Sequence, residues 1–293
     1  MKNFIIGDSI AYNLAKLLDW EYLKIEERIF PDGEVLPKIE KEEKINQAIL
    51  VFNKKEENIN SYLIKFFFLS RKLKEISRKV IGILPYYPYA RQDVVFFEGE
   101  PLSSLYLAEL VEKNLDVFLT CNLHEHRKKI SELFEIPAYN LSLFADLAMF
   151  FKDLNVNQSV IVGPDREAKA FLDDFSENFP AEKYVFLKQR DAKTGKINFL
   201  ETEFDFSNKE VIIIDDILST GKTLFEIAKK IKEKGVQTIS FAFVHLLNKQ
   251  GIELLKELKP KKIITTNTLD NNFYQLDITK SLANFLKEKI IKE

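Results

Sequence analysis

Short apolar runs rich in β-branched and aromatic residues alternate along the chain with longer segments in which apolar residues recur every three or four positions. The short runs predict β-strands, and the longer segments predict helices. Because strands and helices alternate, the pattern indicates an α/β fold with parallel sheets and helices on both faces. The predicted strands are residues 4–6, 49–52, 80–84, 117–120, 159–162, 184–187, 211–214, 238–244 and 262–265, and the predicted helices are 9–18, 60–76, 102–112, 141–151, 222–234, 248–257 and 278–291.

This series of strands and helices runs twice. The first series ends near Pro137, and the second begins with the helix at 141 and the strand at 159. The length of 293 residues agrees with two domains, since a domain has about 150 residues on average. We therefore predict an N-terminal domain over 1–140 and a C-terminal domain over 141–277, with the terminal helix of 278–293 free to pack on the first.

Composition and charge exclude several classes of protein. Hydrophobic residues make up 46% of the chain and charged residues 30%, with a formal net charge of −2, so no basic field or Arg-rich aromatic surface predicts a nucleic-acid partner. The apolar run over 62–69 is broken by Lys65 and is far shorter than the ~20 residues of a membrane helix, so we expect no membrane partner. Asp8 interrupts the N-terminal apolar run, and Cys121 is the single cysteine; both favour a cytoplasmic protein.

Residues 211–223 read VIIIDDILSTGKT and carry most of the recognisable chemistry. An apolar strand ends in Asp215 and Asp216, and a short loop then leads into a helix. In an open α/β sheet, ligands bind at the carboxyl ends of the strands. The hydroxyl groups in this loop and the free N–H groups of the helix N-terminus can surround a phosphate.

The end of this segment is similar to a Walker A phosphate loop, but that motif requires a glycine five residues before Gly221. This chain has Asp216 there, whose charge would repel a triphosphate. A sugar phosphate is a better ligand, because carboxylates accept hydrogen bonds from ribose hydroxyls. A lone pair of aspartates would also be explained by capping of the next helix, but the complete string of strand, aspartates and hydroxyl-rich glycine loop favours the sugar-phosphate site.

The string resembles the ribose-5-phosphate/PRPP loop that type I phosphoribosyltransferases share with ribose-phosphate pyrophosphokinases, the PRPP synthetases. The loop alone does not separate these two families. The resemblance implies two stacked phosphoribosyltransferase-like domains, each a mainly parallel sheet flanked by helices. It also implies that ribose 5-phosphate is bound by Asp215, Asp216, Ser219, Thr220, Gly221 and Thr223.

Two upstream segments favour the synthetases. The strings FPDGE at 30–34 and YYPYARQD at 86–93 resemble their ATP-binding segments, and simple phosphoribosyltransferases lack this N-terminal unit. Proline and glycine in the first string are typical of a turn that presents its carboxylates to an adenine edge or a ribose. The arginine of the second string offers a planar fork for phosphate oxygens. The resemblance implies that ATP is bound by Phe30, Asp32, Glu34, Arg91 and Gln92.

Residues 97–103, FEGEPLS, continue the resemblance in the shorter form typical of archaeal-type synthetases. In that family the stretch reaches an ATP site partly across a subunit boundary. The resemblance therefore implies a homo-oligomer, either a dimer or a hexamer.

Two further segments imply a magnesium ion. LTCNLH at 119–124 falls where the family has an Asp-Leu-His segment that contributes to Mg²⁺ and ATP phosphate binding; Asn122 here replaces the aspartate, and the histidine remains. Without a cysteine cluster or a second His pair, the nearby H-x-H spacing does not predict zinc. VGPD at 162–165 matches the entry to the family's pyrophosphate loop, although REA at 166–168 replaces its usual small residues. The resemblance implies Mg²⁺ as cofactor, with metal contacts from His124 and Asp165.

Lys188-Gln189-Arg190 precedes a polar stretch over 191–195 that is typical of a mobile loop. An isolated K-x-R would be solvated surface. Its place between Asp165 and the two aspartates matches the flexible catalytic loop of the family. The resemblance implies that Lys188 and Arg190 are catalytic and stabilise the charge of the transferred group.

The resemblance as a whole implies a ribose-phosphate diphosphokinase, a transferase that moves the diphosphoryl group of ATP to the C1 hydroxyl of ribose 5-phosphate. The products are PRPP, for nucleotide biosynthesis, and AMP. Phosphoryl transfer requires in-line placement and charge neutralisation more than a protein nucleophile, which fits these residue types. A PRPP-consuming phosphoribosyltransferase and a non-catalytic regulatory homologue are the alternatives; the ATP segments disfavour the first, and Asn122 and the REA segment motivate the second.

Overall fold

The computed structural model describes residues 1–7, 9–40, 44–53, 58–95, 97–123, 129–186, 188–190, 197–199 and 204–291, and it gives the backbone alone for 188–190 and 197–199. By its internal contacts the chain divides into two compact units. The first contains Met1–Leu141, Thr268–Asn272 and Asp277–Glu293, and the second contains Ser142–Asn267 and Phe273–Leu276.

Strands and helices alternate through most of the first unit. Its strands are β1 (Phe4–Gly7), β2 (Glu21–Leu23), β3 (Ile25–Ile29), β4 (Val35–Ile39), β5 (Ile45–Val51), β6 (Ser77–Leu84), β7 (Val117–Cys121) and β8 (Ala138–Leu141), and its helices up to β8 are α1 (Ser9–Leu18), α2 (Ile59–Ile76), α3 (Ser103–Glu112) and α4 (Ile130–Leu133).

Six of the described strands of this unit form a parallel sheet in the order β2-β1-β5-β6-β7-β8. Residues 48–51 of β5 and 80–84 of β6 are buried without alternation, as expected for central strands covered on both faces. β3 and β4 leave this sheet and pair with each other as an antiparallel hairpin, from Ile25 opposite Ile39 to Ile29 opposite Val35. The root of the hairpin packs into the core, where Ile39 is buried.

The second unit repeats the design on a smaller sheet. Its strands are β9 (Ser159–Gly163), β10 (Glu182–Val185), β11 (Lys188–Arg190), β12 (Ile197–Phe199), β13 (Glu210–Leu218), β14 (Thr238–Leu246) and β15 (Lys262–Ile264), and its helices are α5 (Phe144–Ala148), α6 (Lys169–Ser176), α7 (Lys222–Glu233) and α8 (Lys249–Lys256).

The described strands of the second unit form a parallel sheet in the order β10-β9-β13-β14-β15, and β11 pairs with β12 as a separate antiparallel hairpin. α7 shows why its sequence folds as a helix. Its buried residues recur at helical spacing, and the opposite face is rich in lysine and glutamate. The buried residues are Leu224, Ile227, Ala228 and Ile231.

The C-terminal helix belongs to the first unit. α9 (Thr279–Phe285) continues as a π-helical turn (Leu286–Ile290). It packs on α1, and the Phe285 ring meets the Tyr139 ring edge-on at 5.7 Å between centroids. The Lys79 ammonium donates to the carbonyl of Ile290 at 3.3 Å. Among the described residues, no helix combines the length and the apolar character that crossing a membrane requires.

The predicted α/β class with parallel sheets flanked by helices is confirmed. The prediction of a helix beginning at residue 141 was wrong, because Leu141 is the last residue of β8 and lies opposite Cys121. The helix begins at Phe144, and a short 3-10 turn (Met149–Phe151) follows it. A four-residue edge strand carries too little pattern to be separated from the apolar helix that follows.

Candidate active site

The two aspartates of the predicted ribose-5-phosphate loop lie on β13. This strand pairs with β9 as far as Ile213, but its pairing with β14 continues to Leu218. The strand was predicted to end at 214; it continues to Leu218 because β14 supplies partners for Asp215, Ile217 and Leu218. Asp215 and Asp216 thus stand on the strand itself, beyond the end of β9. Asp215 is half-buried, Asp216 is 4% exposed, and the N–H of Asp216 donates to Oδ1 of Asp215 at 3.1 Å.

The loop from β13 to α7 lies against the first turn of α8. Gly221 precedes α7 with φ at 73°, a conformation that strongly favours glycine, and a Cβ there would lie 3.1 Å from the carbonyl oxygen of Gly251. A Cβ on Gly251 would lie 2.4 Å from the carbonyl oxygen of Ser219. Gly221 and Gly251 therefore allow the loop to approach α8 closely, and this contact fixes the conformation of the loop.

α7 begins without a side-chain cap, since its N-cap residue is Gly221. The first N–H groups of a helix have no partner within the helix, and they carry the positive end of its dipole. The predicted hydroxyl residues are arranged around this end, with Ser219 and Thr223 half-buried and Thr220 exposed. Backbone N–H groups, hydroxyls and dipole together make this terminus suited to a phosphate.

Asp165 follows β9 at the edge where β13 carries its aspartates. It is half-buried, and its Oδ1 accepts a hydrogen bond from the N–H of Glu167 at 3.1 Å, which caps a 3-10 turn (Arg166–Ala168). The carboxylate therefore has a structural task alongside the predicted metal contact. Arg166 and Glu167 are exposed while Ala168 is buried, so the two large side chains of this segment lie at the protein surface.

The predicted catalytic pair follows β10, which neighbours β9 in the sheet. The backbone of Lys188, Gln189 and Arg190 forms β11, with Lys188 opposite Phe199 and Arg190 opposite Ile197 on β12. The side chains of Lys188 and Arg190 lie outside the described part of the chain.

In the first unit, the FPDGE string forms the turn that joins β3 to β4, as its proline and glycine predicted. The N–H of Phe30 donates to the carbonyl of Glu34 at 2.9 Å, and the N–H of Gly33 donates back to the carbonyl of Phe30 at 2.9 Å. Oδ1 of Asp32 accepts from the N–H of Glu34 at 3.1 Å. Asp32 and Glu34 are exposed, and Phe30 is half-buried under the Arg28 guanidinium at 4.6 Å.

The second predicted ATP segment is a loop after β6 that is anchored by its tyrosines. The buried Tyr87 hydroxyl donates to the carbonyl of Ser104 at 2.9 Å, and the Tyr89 hydroxyl donates to Oδ1 of Asn60, at the start of α2, at 2.8 Å. Burial, reinforced by the charge of Glu112, raises the pKa of Tyr87 well above its usual range. Arg91 and Gln92, which follow the buried Ala90, are exposed.

Asn122 follows β7 at the same sheet edge. It is 5% exposed, with φ at 39°, and its N–H donates to the carbonyl of Leu141 at 3.0 Å. The neighbouring Leu123 N–H donates to Oδ1 of Asn140 at 2.8 Å, so this segment is tied to β8. His124, the other predicted metal contact, lies outside the described residues.

The topology brings some of the predicted residues to the carboxyl edge of each sheet, whereas the turn at 30–34 lies on the separate hairpin of β3 and β4. In the second unit, Asp165 and the two aspartates follow or end adjacent parallel strands. In the first unit, the loop at 86–93 and Asn122 follow the adjacent strands β6 and β7. This is the edge at which open α/β sheets bind ligands.

The residues fit the implied magnesium ion. No three His, Cys, Asp or Glu residues in the described ranges are arranged as a metal cage. Mg²⁺ does not need one, because proteins usually hold it by one or two carboxylates, waters and substrate phosphates. The half-buried carboxylates of Asp165, after β9, and Asp215, on the adjacent strand β13, are suited to that donor set.

The sequence did not predict the residues that pack beneath the loops of the candidate site. Gly251 sets the distance between the loop and α8, and Gly163 touches Ala168, where an added Cβ would lie 2.5 Å from that of the alanine. A glycine within a helix costs about 1 kcal/mol relative to alanine, so Gly251 was a signal for a close contact. Lys65 was noted as a break in an apolar run but was assigned no role.

Comparison with known proteins gives two family matches that together cover most of the chain. The model of the N-terminal domain of ribose phosphate pyrophosphokinase matches residues 7–114. The model of the phosphoribosyl transferase domain matches residues 140–277. The boundary between the two matches falls close to the boundary between the two compact units.

Curated relatives match over nearly their whole length. The ribose-phosphate pyrophosphokinase of Methanobrevibacter smithii is 29% identical over 301 residues, which cover 97% of this chain and 100% of the relative. The enzyme of the same name from Sulfurisphaera tokodaii is 30% identical over 268 residues, covering 89% and 90%. Among solved structures, phosphoribosylpyrophosphate synthetase from Mycobacterium smegmatis superimposes with a TM-score of 0.84 at 22% identity, covering 98% of each chain, which supports the fold.

Proposed function

Because this chain belongs to the ribose-phosphate pyrophosphokinase family, we propose that it transfers the diphosphoryl group of ATP to the C1 hydroxyl of ribose 5-phosphate. The hydroxyl oxygen attacks the β-phosphorus and forms the new C1–O–P bond. The bond between the β-phosphorus and the oxygen bridging to the α-phosphate breaks, AMP leaves with that oxygen, and the hydroxyl proton is released. The products are PRPP and AMP.

One observation carries the proposal: a half-buried and a buried aspartate lie near the carboxyl end of β13, and a short loop joins this strand to an uncapped helix N-terminus. Carboxylates suit the ribose hydroxyls, and the helix N-terminus suits the 5-phosphate. The match of residues 7–114 to the pyrophosphokinase N-terminal domain adds the half that a phosphoribosyltransferase does not need. We assign ribose 5-phosphate to Asp215, Asp216, Ser219, Thr220, Gly221 and Thr223.

The remaining roles follow the chemistry of the side chains. The turn at 30–34 is proposed to bind the adenosine of ATP, and the exposed Arg91 and Gln92 its polar groups. When bound, Mg²⁺ neutralises polyphosphate charge, and we assign its contacts to Asp165 and His124. Lys188 and Arg190 are proposed to stabilise the charge on the transferred group, which is where cationic side chains contribute most to such reactions.

The test is a product assay with ATP, Mg²⁺ and ribose 5-phosphate, in which AMP and PRPP are both measured. We expect the two products in equal amounts, and no AMP when ribose 5-phosphate is omitted. Asp216→Asn keeps the shape of the side chain and removes its charge, so it should lose most of the activity. Repeating the assay with added phosphate and ADP would reveal regulation of the same reaction.

Each alternative predicts a different result. A phosphoribosyltransferase would release no AMP but would consume PRPP when a base is supplied. A non-catalytic homologue, which the buried Asn122 motivates, would bind ATP and release neither product. Either outcome would contradict the proposed function.

We further propose that the protein is a cytoplasmic homo-oligomer, a dimer or a hexamer, since the segment at 97–103 resembles one that reaches across subunits in the family. Phe97 is 73% exposed in the single chain, and an aromatic side chain in that state is suited to an interface. Light scattering coupled to size exclusion should give two or six times the 34.2 kDa of one chain. A mass of 34.2 kDa at assay concentration would contradict it.

A further inference from the structure

A lysine buried inside the first unit links α2 to the hairpin that carries the FPDGE turn. Lys65 is 4% exposed and lies on the same buried face of α2 as Tyr62 and Leu69. Its ammonium donates to both carboxylate oxygens of Glu27 on β3, at 3.1 and 3.3 Å. Lysines are almost never this deeply buried unless they are paired.

The ion pair contacts the hairpin at the middle of β3. Glu27 lies opposite Pro37, midway between the root at Ile25 and the tip at Ile29. The root is fixed by the core, where Ile39 is buried, while Ile29 at the tip is 65% exposed. The ion pair therefore holds the hairpin about 7 Å, or two residues of strand, below the start of the turn.

The turn itself is held by its own hydrogen bonds. Phe30, Gly33 and Glu34 are joined by the backbone and side-chain bonds within the 30–34 segment described above. Losing a distant contact would leave these bonds intact. The Lys65–Glu27 ion pair, which lies further from the turn, instead controls the orientation of the whole turn relative to the sheet.

From this geometry we propose that Lys65, through Glu27, is a positioning residue for the nucleotide-binding turn. The inference rests on the proposed function, because it takes the turn at 30–34 to be part of the ATP site. The ion pair fixes the angle of the hairpin relative to the sheet. Asp32 and Glu34 are therefore already in position when the nucleotide binds, and no ordering of the hairpin is required. Lys65 itself contacts no substrate.

The test replaces Lys65 with methionine, which has a similar length, suits a buried site and removes the charge. We expect KM for ATP to rise about tenfold, while kcat and KM for ribose 5-phosphate change less than about twofold. A tenfold change corresponds to about 1.4 kcal/mol of binding free energy. Lys38→Met is the matched control, because Lys38 pairs with Glu26 and Glu40 on the exposed surface of the same hairpin and should leave all three constants unchanged.

Further measurements separate positioning from general stability. Lys65→Arg retains a cation for Glu27 and should keep KM for ATP within about threefold of the wild type. In a second measurement, amide hydrogen exchange over 27–36 should be faster in Lys65→Met and unchanged in Lys65→Arg and Lys38→Met. Where Lys65→Met unfolds, Glu27→Gln serves instead and should raise KM for ATP by about threefold at an unchanged Tm. Equal KM values for ATP in a folded Lys65→Met variant and in Lys38→Met would overturn the proposal.

The proposed function fails separately from this inference. A wild type that forms no AMP contradicts the activity, and direct titration with ATP then tests the hairpin. Weaker ATP binding in Lys65→Met than in Lys38→Met supports positioning in that case, and equal binding overturns it.

Discussion

Backbone conformation limits which side chains the site can use, and Asn122 shows how. Its φ of 39° lies in the left-handed region, which asparagine and aspartate tolerate better than other non-glycine residues. Asn122, in place of the aspartate that the resemblance implies, therefore keeps the same backbone conformation and leaves a position that is 5% exposed without a charge. The effect is chemical rather than conformational, because a carboxylate that could contact the proposed Mg²⁺ is absent.

The proposed catalytic pair, Lys188 and Arg190, is also tested by single substitutions. Lys188→Ala should lower kcat by about a hundredfold or more, since removing one group that stabilises transition-state charge commonly costs 10² to 10³. Tm should stay the same, because one position of a short hairpin contributes little to the core. Lys183→Ala is the control: Lys183 lies on β10 and pairs with Asp173 at the surface, so its loss should not change kcat. A Lys188→Ala enzyme with wild-type turnover would remove Lys188 from the mechanism.

At the scale of elements, the site depends on how closely α8 approaches the loop after β13. Alanine in place of glycine normally stabilises a helix by up to about 1 kcal/mol. At Gly251 the new Cβ would lie 2.4 Å from the carbonyl oxygen of Ser219. Because backbone must move to relieve that contact, the usual sign of the substitution is reversed.

We therefore expect Gly251→Ala to destabilise the protein by about 1–3 kcal/mol, the usual cost of overpacking, and to raise KM for ribose 5-phosphate about tenfold. KM for ATP should change little. Urea unfolding and steady-state kinetics measure the two effects. Glu253→Ala, on the exposed face of α8, should change neither; a Gly251→Ala variant with normal KM for ribose 5-phosphate would show that the loop tolerates a shift of α8.

A second element, the loop at 86–93, is held to α3 by the buried Tyr87 hydroxyl. Tyr87→Phe should lower the free energy of unfolding at pH 7 by about 1–2 kcal/mol, because the carbonyl of Ser104 loses its donor. Burial raises the pKa of Tyr87 in the folded protein, so its contribution is complete below the unfolded value of about 10 and declines above it. From pH 9 to 11 the wild type should lose about 1.4 kcal/mol more than Tyr87→Phe. Parallel curves for the two proteins would contradict this assignment.

The elements also show what the sequence predicts and what it does not. The central strands were found because burial on both faces leaves an uninterrupted apolar run, as in β13. The hairpin of β3 and β4 was missed, since Glu26, Glu27 and Arg28 give it no apolar alternation and its stability comes from α2. The sequence predicts a phosphate-binding loop at 219–223, but it does not predict the contact of this loop with α8, because Gly251 lies 30 residues further on.

For the whole molecule, the net charge of −2 is an average over two units, to which the proposed site assigns different substrates. The turn at 30–34 and Arg91 belong to the first unit, and Asp165 and Asp216 belong to the second. If each unit binds its own ligand, then a substitution in one unit should affect one ligand and spare the other. Testing this property requires one variant in each unit and both ligands.

We expect ATP and ribose 5-phosphate, each added alone at about 100 times its Kd, to stabilise the wild type by about 2.7 kcal/mol. That corresponds to a rise in Tm of about 5 °C or more. Asp216→Asn should abolish the shift caused by ribose 5-phosphate and keep the shift caused by ATP, and Arg91→Ala should do the reverse. Differential scanning fluorimetry with Mg²⁺ present measures all six conditions. Loss of both shifts in either variant would mean that the ligands do not divide between the units, because one substitution would then reach both binding sites.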